Sequence, residues 1–345
     1  MAYRRALYWV VTLVVLPLLA LSGLGCMASD KQVIQQASSF NDGIKPAVIE
    51  QGQNNSYLQA IGDRIIAAAK QLDAQGVGPK SHFSVADRAW MFQDIHWQLV
   101  NSKTVNAFTT GGHYVYIYDA LFQMCKNEDE LAAVMAHEYG HIYSRHVQKG
   151  TGRQEALAVL ALAAGGAGYA AGGKDNGAQY AQTAMAAAQS GGGFIQMGFT
   201  RGDEAQADEF GFQFYTAAGW PPDHFSDFFK EMIAAGYDKT PAIASDHPTL
   251  ASRVAAADAR ASALSPEEVA RLRKPEIANQ QQFDQFKQAA IAASQGMPDD
   301  KSVLQAKNLL QALPRSCWLP YEPDDEKEAQ QQIVQAAQQQ PAPAK

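Results

Sequence analysis

The sequence predicts an α+β fold that is mostly helical, with a small antiparallel sheet beside one long helix. Apolar residues recur with helical periodicity through much of the chain. Over 90–118 that period gives way to aromatic and β-branched residues separated by turn signals. The stretch 127–150 then has a helix-capping residue at its start and cationic residues near its end. The sheet is therefore expected to lead directly into a helix of about six turns, around which the other elements are placed.

Composition limits the size of the protein and its partners. The chain has 345 residues, 47% of them hydrophobic and 18% charged, which is enough for one large domain with a helical extension. The net charge of -7 and the lack of a basic stripe argue against a nucleic-acid partner. The oligomeric state cannot be read from the sequence.

Changes in composition divide the chain into segments. A helical segment at 26–56 precedes the main domain at 57–263, and a helical extension follows at 264–322. Gln, Ala and Pro dominate 323–345, which is expected to be a disordered tail. An Ala- and Gly-rich helical insert at 151–199 interrupts the main domain. It either covers or gates a cleft, or serves as structural padding.

The residues 1–25 have the form of a bacterial secretory signal. Arg4 and Arg5 precede an uncharged apolar run, and small residues lead up to Cys26. This ending resembles a lipoprotein signal, so Cys26 is expected to carry lipid; an uncleaved anchor helix is the alternative, because the run is long enough to span a bilayer. Since Met27 rather than Asp follows the cysteine, resemblance to other lipoproteins points to the periplasm and to the outer membrane rather than the inner membrane.

The cysteine count predicts a disulfide. If Cys26 carries lipid, Cys125 and Cys317 remain as a pair in an exported protein. Two buried thiols are the alternative.

Helices and strands before the central helix are predicted from breaks in the pattern. Two helices are expected, separated by the break at 41–43 and Pro46, with the second over 57–71. The sheet strands are expected within 90–100, 104–110 and 113–118. Asn127 caps the central helix, whose acidic first turn suits the positive end of the helix dipole.

The central helix carries the motif His137-Glu138-Tyr139-Gly140-His141. His137 and His141 are four residues apart, so both imidazoles project from one face and can share a metal ion. Glu138 lies beside them, placed to take a proton from water at the metal. The alternative is a helix with two core histidines, although we estimate that chance produces such a motif only about once in a hundred chains of this kind.

A second helix, opening at Thr200, can complete the metal site. Zinc held by two imidazoles needs a third protein ligand, and a carboxylate is suitable. Glu204 is the candidate, while Asp208, one turn further, can accept the free N–H of a zinc-bound histidine. Ala205, Ala207 and Gly211 are small enough to let this helix approach another closely. The alternative is that the two acids form a solvated helical face.

His146 is a competing third ligand. In a continuous helix it lies on the opposite side from His137, because the two are nine residues apart. It is therefore expected at the surface or at the helix end.

His247 precedes a proline that fits the first position of another helix. This places His247 at the helix rim, with its imidazole free to point into a cleft.

Four motifs in this order resemble the family-48 zinc metallopeptidases, the group of the HtpX and CAAX prenyl proteases. They read H-E-Y-G-H at 137, E-A-Q-A-D at 204, S-D-H-P-T-L-A-S-R at 245 and V-N-A-F at 105. The resemblance covers about 57–263 and is strongest to the periplasmic lipoprotein members. It implies a gluzincin-type zinc metallopeptidase domain.

The resemblance also implies roles for individual residues. One Zn2+ per chain would be bound by His137, His141 and Glu204. Glu138 would be the general base, and His247 with Arg253 would assist the transition state. The strand through Asn106 would lie along the substrate, as an edge strand to which an extended peptide can add.

The expected function is that of a zinc metalloendopeptidase acting on unfolded or misassembled cell-envelope proteins. Recognition by strand addition reads backbone rather than sequence, and so selects unfolded segments. A zinc-stabilised periplasmic chaperone or assembly factor with secondary proteolysis is the alternative, which the intact Glu138 disfavours because a structural zinc needs no base. An exopeptidase should have groups that bind a free terminus, and none is evident.

Overall fold

The computed structural model describes most of the chain between residues 28 and 309. The described residues are 28–50, 52–78, 85–152, 199–237, 249–274, 279–307 and 309. Several expectations lie outside them and stay predictions: the leader with Cys26, most of the insert at 151–199, His247, Cys317 and the tail.

The described chain is mostly helical with one small sheet, as predicted. Its α-helices are α1 Asp30–Ile44, α2 Gly52–Ala74, α3 Val85–Arg88, α4 Asp119–Met124, α5 Glu128–Tyr143, α6 Arg201–Ala218, α7 Asp227–Ala234, α8 Leu250–Ser262, α9 Pro266–Leu272, α10 Gln280–Ser294 and α11 Asp300–Ala306. The strands are β1 His96–Val100, β2 Ala107–Thr109 and β3 Tyr114–Tyr118. Among these described helices, none has the length and apolar character needed to cross a membrane.

Helix α5 lies at the centre of the fold, and every one of its 16 residues is buried. It contacts α2, α6, α7, β2 and β3. Asn127 caps it as predicted, accepting a hydrogen bond from the Glu130 amide at 2.9 Å. The acidic first turn is buried: Glu128 accepts hydrogen bonds from Tyr57 and Arg64, both at 2.5 Å. The helix start is therefore held by side chains of α2 as well as by its own cap.

Helix α5 is shorter than predicted, and the expectation of one continuous helix over 127–150 is wrong. It ends at Tyr143, and the chain is helical again over 146–152. Between the two, Arg145 has φ 55, in the left-handed region. Its guanidinium contacts Asp30 of α1 and donates to the Asp87 carbonyl at 3.1 Å. These contacts from elsewhere in the chain hold the turn, which separates α5 from the second helical stretch.

Helices α5 and α6 approach each other unusually closely. A Cβ on Gly140 would lie 2.7 Å from the Ala207 carbonyl oxygen, and a Cβ on Gly211 would lie 3.0 Å from the His137 Cα. Backbone therefore meets backbone at the crossing. The small residues of α6 permit this approach, as the sequence predicted.

The sheet is mixed rather than wholly antiparallel. Its strand order is β1–β3–β2; β2 pairs antiparallel with β3, whereas β1 pairs parallel with it. The short turn between β2 and β3 favours a hairpin, and β1 reaches the other side of β3 through a crossover. The outer edge of β1 is covered, because the Ile49 amide donates to the Leu99 carbonyl at 2.8 Å. That leaves β2 as the terminal strand, in contact with α5.

The strands are also shorter than expected. Residues 90–92, which the sequence assigns to the first strand, belong instead to a 3-10 turn, Ala89–Phe92. Its aromatic residues resemble those of a strand, but Tyr139 of α5 donates to the Met91 carbonyl at 2.7 Å and fixes the turn against the core.

Cys125 lies buried where α10 packs on the main domain. Its carbonyl accepts a hydrogen bond from Lys287 at 2.6 Å, and burial raises the pKa of its thiol. It forms no disulfide within the described residues, and Cys317 is not among them. The disulfide therefore stays a prediction.

Gly140→Ala is expected to destabilise the protein. The added methyl group would push the Ala207 carbonyl away and separate α5 from α6, which costs about 1–3 kcal/mol by analogy with other overpacked sites. Denaturant unfolding monitored by circular dichroism measures this change.

Gly202→Ala is the matched control on α6. Its Cβ would lie 3.7 Å from the nearest side-chain atom, the Thr200 Oγ1, and its φ is not positive. The control should be as stable as the wild type or slightly more stable. Equal stability of Gly140→Ala and the wild type would contradict the close-approach argument.

Candidate metal centre

Two helices bring the three expected metal ligands together. His137 and His141 project from one face of α5, and Glu204 projects from the first turns of α6 at the helix crossing. All three side chains are fully buried. In the described part of the chain they form the one group of three or more His, Cys, Asp or Glu residues that could hold a metal ion.

The distances among the ligand atoms fit a single small cation. His137 Nε2 and His141 Nε2 are 3.0 Å apart. The Glu204 carboxylate lies 3.5 Å from the first nitrogen and 3.7 Å from the second. Tetrahedral zinc with bonds of about 2.0–2.2 Å places neighbouring ligand atoms about 3.3 Å apart. The residues present therefore match the geometry and the donor set of a zinc site.

Asp208 forms a hydrogen bond with Nδ1 of His137 and so orients its ring. His137 Nδ1 lies 2.8 Å from Asp208 Oδ1, so the imidazole N–H points at a carboxylate. Burial alone would raise the pKa of Asp208, but Arg253 and His137 outweigh it and hold this pKa well below its usual value. An ionised acceptor at Nδ1 leaves the Nε2 lone pair of His137 facing the metal position.

Arg253 completes this group from α8. Its Nε and Nη2 donate to the two oxygens of Asp208 at 2.9 and 2.6 Å, and Nη2 lies 3.1 Å from His137 Nδ1. The guanidinium also lies over the Phe229 ring, 4.2 Å from its centroid. These contacts are on the Nδ1 side of His137 and fit a positioning role. A direct role of Arg253 at the transition state stays a prediction.

His146 is buried beside the centre, and the expectation that it lies at the surface or at the end of a continuous helix is wrong. It is fully buried, with Nδ1 3.0 Å from His141 Nδ1 and Nε2 2.9 Å from Gln206 Oε1. Burial lowers the pKa of His146 to about 4. The left-handed turn at Arg145 places the His146 ring next to His141. No glycine or asparagine in the sequence marks that turn.

Phe199 was also missed by sequence reasoning. Its ring stacks on the His141 ring, with centroids 3.9 Å apart and an angle of 27° between the planes. It is 2% exposed and precedes the cap of α6. A single aromatic residue between a glycine-rich stretch and a helix gives no local signal of such a contact.

Glu138 lies on α5, and Asn106 lies directly before β2, the strand that contacts α5. Glu138 is fully buried on α5. Asn106, directly before β2, is 7% exposed, and its Oδ1 has no hydrogen-bond partner among the described residues. All three residues of β2 are buried as well, so the strand edge is covered rather than open to solvent.

Comparison with known proteins gives a family match over the same region. A family model described as "Peptidase family M48" matches residues 53–261, which includes all three ligands, Glu138 and Arg253.

Individual relatives show the same similarity. A beta-barrel assembly-enhancing protease of Yersinia pestis is 28% identical over 212 residues, 61% of this chain and 39% of that protein. The Escherichia coli protein of the same name is 32% identical over 173 residues, 50% of this chain and 35% of that protein. A mitochondrial metalloendopeptidase of Schizosaccharomyces pombe is 45% identical over 47 residues, 13% of this chain and 14% of that protein. The chain thus spans about two fifths or less of the length of these curated relatives.

Asp208→Asn is expected to lower zinc affinity about 10–100-fold. Such a loss is general when a metal-binding histidine loses the hydrogen-bond acceptor of its other ring nitrogen. The substitution removes the ionised acceptor of the His137 N–H and leaves the Arg253 charge without its balancing carboxylate. Competition titration with a chromophoric chelator measures the affinity. Asp284→Asn, at an exposed position of α10, is the control and should bind zinc like the wild type. An affinity for Asp208→Asn within twofold of the wild type would disprove the orienting role.

Proposed function

The chain is a member of peptidase family M48, and from this premise we propose that it is a zinc-dependent metalloendopeptidase of unfolded or misassembled cell-envelope proteins. The main support is that two imidazole nitrogens and the Glu204 carboxylate meet at one buried point. Glu138, next to His137 in the sequence, is buried as well. A metallopeptidase activity follows from the family. The metal identity, the substrates and the location are our proposal.

The residues of the site supply the groups that peptide hydrolysis needs. Zinc, when bound by its three protein ligands, supplies Lewis-acid chemistry that polarises the scissile carbonyl and activates water. The Glu138 carboxylate accepts a proton from the attacking water and then passes it to the leaving amine. Asp208 and Arg253 keep His137 in the tautomer that can bind the metal. His247, outside the described residues, is proposed as a hydrogen-bond donor to the oxyanion.

The substrate proposal rests on the position of β2. It is the terminal strand of the sheet and contacts the helix that carries the ligands. An extended peptide can add to such a strand, with the Asn106 amide contacting it near the scissile bond. Because β2 is buried, strand addition requires that its free edge become accessible to the peptide. A loose, unfolded segment suits this mode of binding, since it can follow the strand without carrying a folded domain with it.

The location proposal rests on the leader and on the packing just after it. The relatives from Yersinia pestis and Escherichia coli carry names that refer to β-barrel assembly, which suits a periplasmic protein with envelope substrates. Ala28 is buried, and its amide donates to the Gln148 carbonyl at 3.2 Å. Two residues span at most about 7 Å. A lipid on Cys26 would therefore hold the domain close against the membrane surface.

Glu138→Gln is expected to abolish proteolysis while keeping the metal. Removing a general base costs about 10²–10⁴-fold in rate, whereas the three ligands are untouched. Elemental analysis for zinc and digestion of unfolded casein measure the two properties. Glu209→Gln, at an exposed position of α6, should retain both. Casein cleavage by Glu138→Gln at the wild-type rate would eliminate the proposed base, and a wild type without zinc would eliminate the metal.

Asn106→Ala is expected to lower kcat/KM about tenfold, the equivalent of one hydrogen bond to substrate. Zinc content and Tm should stay close to the wild type, because Asn106 Oδ1 has no partner to lose among the described residues. Lys103→Ala, exposed on the same loop, should retain the wild-type kcat/KM.

The preference for unfolded substrate is tested with one protein in its folded and its unfolded, reduced form. The unfolded form should be cleaved much faster by the wild type. Equal cleavage rates for the two forms would rule out strand addition as the selecting step.

A further inference from the structure

A second imidazole lies behind the ligand His141. His146 Nδ1 is 3.0 Å from His141 Nδ1, and both rings are fully buried. Two imidazole nitrogens at this distance share one proton, with one nitrogen donating and the other accepting. Which nitrogen holds the proton decides whether His141 can bind a metal through Nε2.

Gln206 determines the direction of this hydrogen bond. Its Oε1 lies 2.9 Å from His146 Nε2 and 3.3 Å from Lys149 Nζ. Because the lysine ammonium only donates, the Gln206 atom facing it is the oxygen. His146 Nε2 therefore carries a hydrogen and donates it to Gln206. Asp203 Oδ1, 3.6 Å from the same nitrogen, is a second acceptor on that side of the ring. With the ring hydrogen on Nε2, Nδ1 is left as the acceptor that faces His141.

We propose that His146 is a positioning residue for His141: its Nδ1 accepts the His141 Nδ1–H and thereby keeps the His141 Nε2 lone pair free for the metal. The proposal rests on the metal site of the proposed function and adds a residue to it. With the opposite direction, His146 Nδ1 donating to His141 Nδ1, the proton of His141 would be on Nε2 and that nitrogen could not bind the metal.

The left-handed turn at Arg145 makes this contact possible. In a continuous helix, residue 146 would lie about 140° around the axis from residue 141 and could not face it. Positive φ is uncommon for a residue other than glycine and costs about 1–2 kcal/mol. Arg145 is 4% exposed and is held by Asp30. The burial and contacts of Arg145 therefore keep this unfavourable backbone conformation in place. The resulting turn points the His146 ring towards His141.

The two ligand histidines thus differ in how their Nδ1 protons are held. His137 donates to a carboxylate, whereas His141 donates to a neutral ring. A carboxylate acceptor raises the basicity of the donor imidazole more than a neutral acceptor does. For His141, the role of the acceptor is to set the tautomer and the ring orientation, so the proposal concerns geometry and not added charge.

The first experiment uses the unaltered, zinc-loaded protein. Long-range 1H–15N spectra of histidine-labelled protein distinguish protonated, unprotonated and metal-bound ring nitrogens. We expect His141 with a protonated Nδ1 and a metal-bound Nε2, and His146 with a protonated Nε2 and an unprotonated Nδ1. A protonated Nδ1 on His146 would overturn the proposal.

The second experiment separates an acceptor from a space-filling ring. His146→Phe keeps a buried ring but loses the acceptor, and its zinc affinity should fall about 10–100-fold. His146→Asn offers an oxygen near the position of Nδ1 and should recover most of that loss. His224→Phe, on a histidine paired with Asp129 by a 2.7 Å hydrogen bond, is the control and should bind zinc like the wild type.

The possible results separate a failure of this proposal from a failure of the proposed function on which it rests. Wild-type affinity in His146→Phe, or equal losses in His146→Phe and His146→Asn, would overturn the positioning role while leaving the zinc site intact. Failure of the wild type to bind zinc would overturn both. The visible spectrum of the cobalt-substituted protein reports the ligand geometry directly, so a loss of overall stability that leaves the ligands in place would not change it.

Discussion

The fold depends on a helix that is buried on every side and yet carries polar groups at its centre. All residues of α5 are buried, and His137, Glu138 and His141 are among them. A buried polar group left without a partner costs about 1–3 kcal/mol, and a buried charge costs more. The elements around α5 must therefore supply hydrogen-bond partners as well as apolar contact.

Helix α6 supplies most of these partners, and it can do so because it comes so close. Gly140 and Gly211 remove the side chains that would otherwise separate the two helices. At that distance, Glu204, Gln206 and Asp208 all reach the histidine group beside them. A shift of α6 away from α5 would lengthen these contacts together. The packing of α5 against α6 therefore sets the distances within the site. A substitution at the crossing changes both the packing and these distances.

Sequence spacing predicted the parts of the site that lie on regular helices, because spacing alone decides which face a side chain occupies. Glu204 and Asp208 are of this kind, and so is the α5 motif. His146 was misplaced because the prediction assumed a continuous helix. The conformation of Arg145 depends on Asp30, 115 residues earlier, and no local residue marks it. The direction of β1 was missed for a related reason: strand-forming residues indicate pairing but do not distinguish parallel from antiparallel neighbours.

The charges around the centre explain why a divalent cation suits it. Asp208 is balanced by Arg253, so it orients His137 without adding net charge to the site. Glu204 is fully buried beside the two imidazoles, and a buried carboxylate is costly unless a cation compensates its charge. A divalent ion held by the Glu204 carboxylate and the two imidazoles would offset that cost. Because these three candidate ligands come from both α5 and α6, the free energy of metal binding would also stabilise the helix pair and would link metal binding to folding.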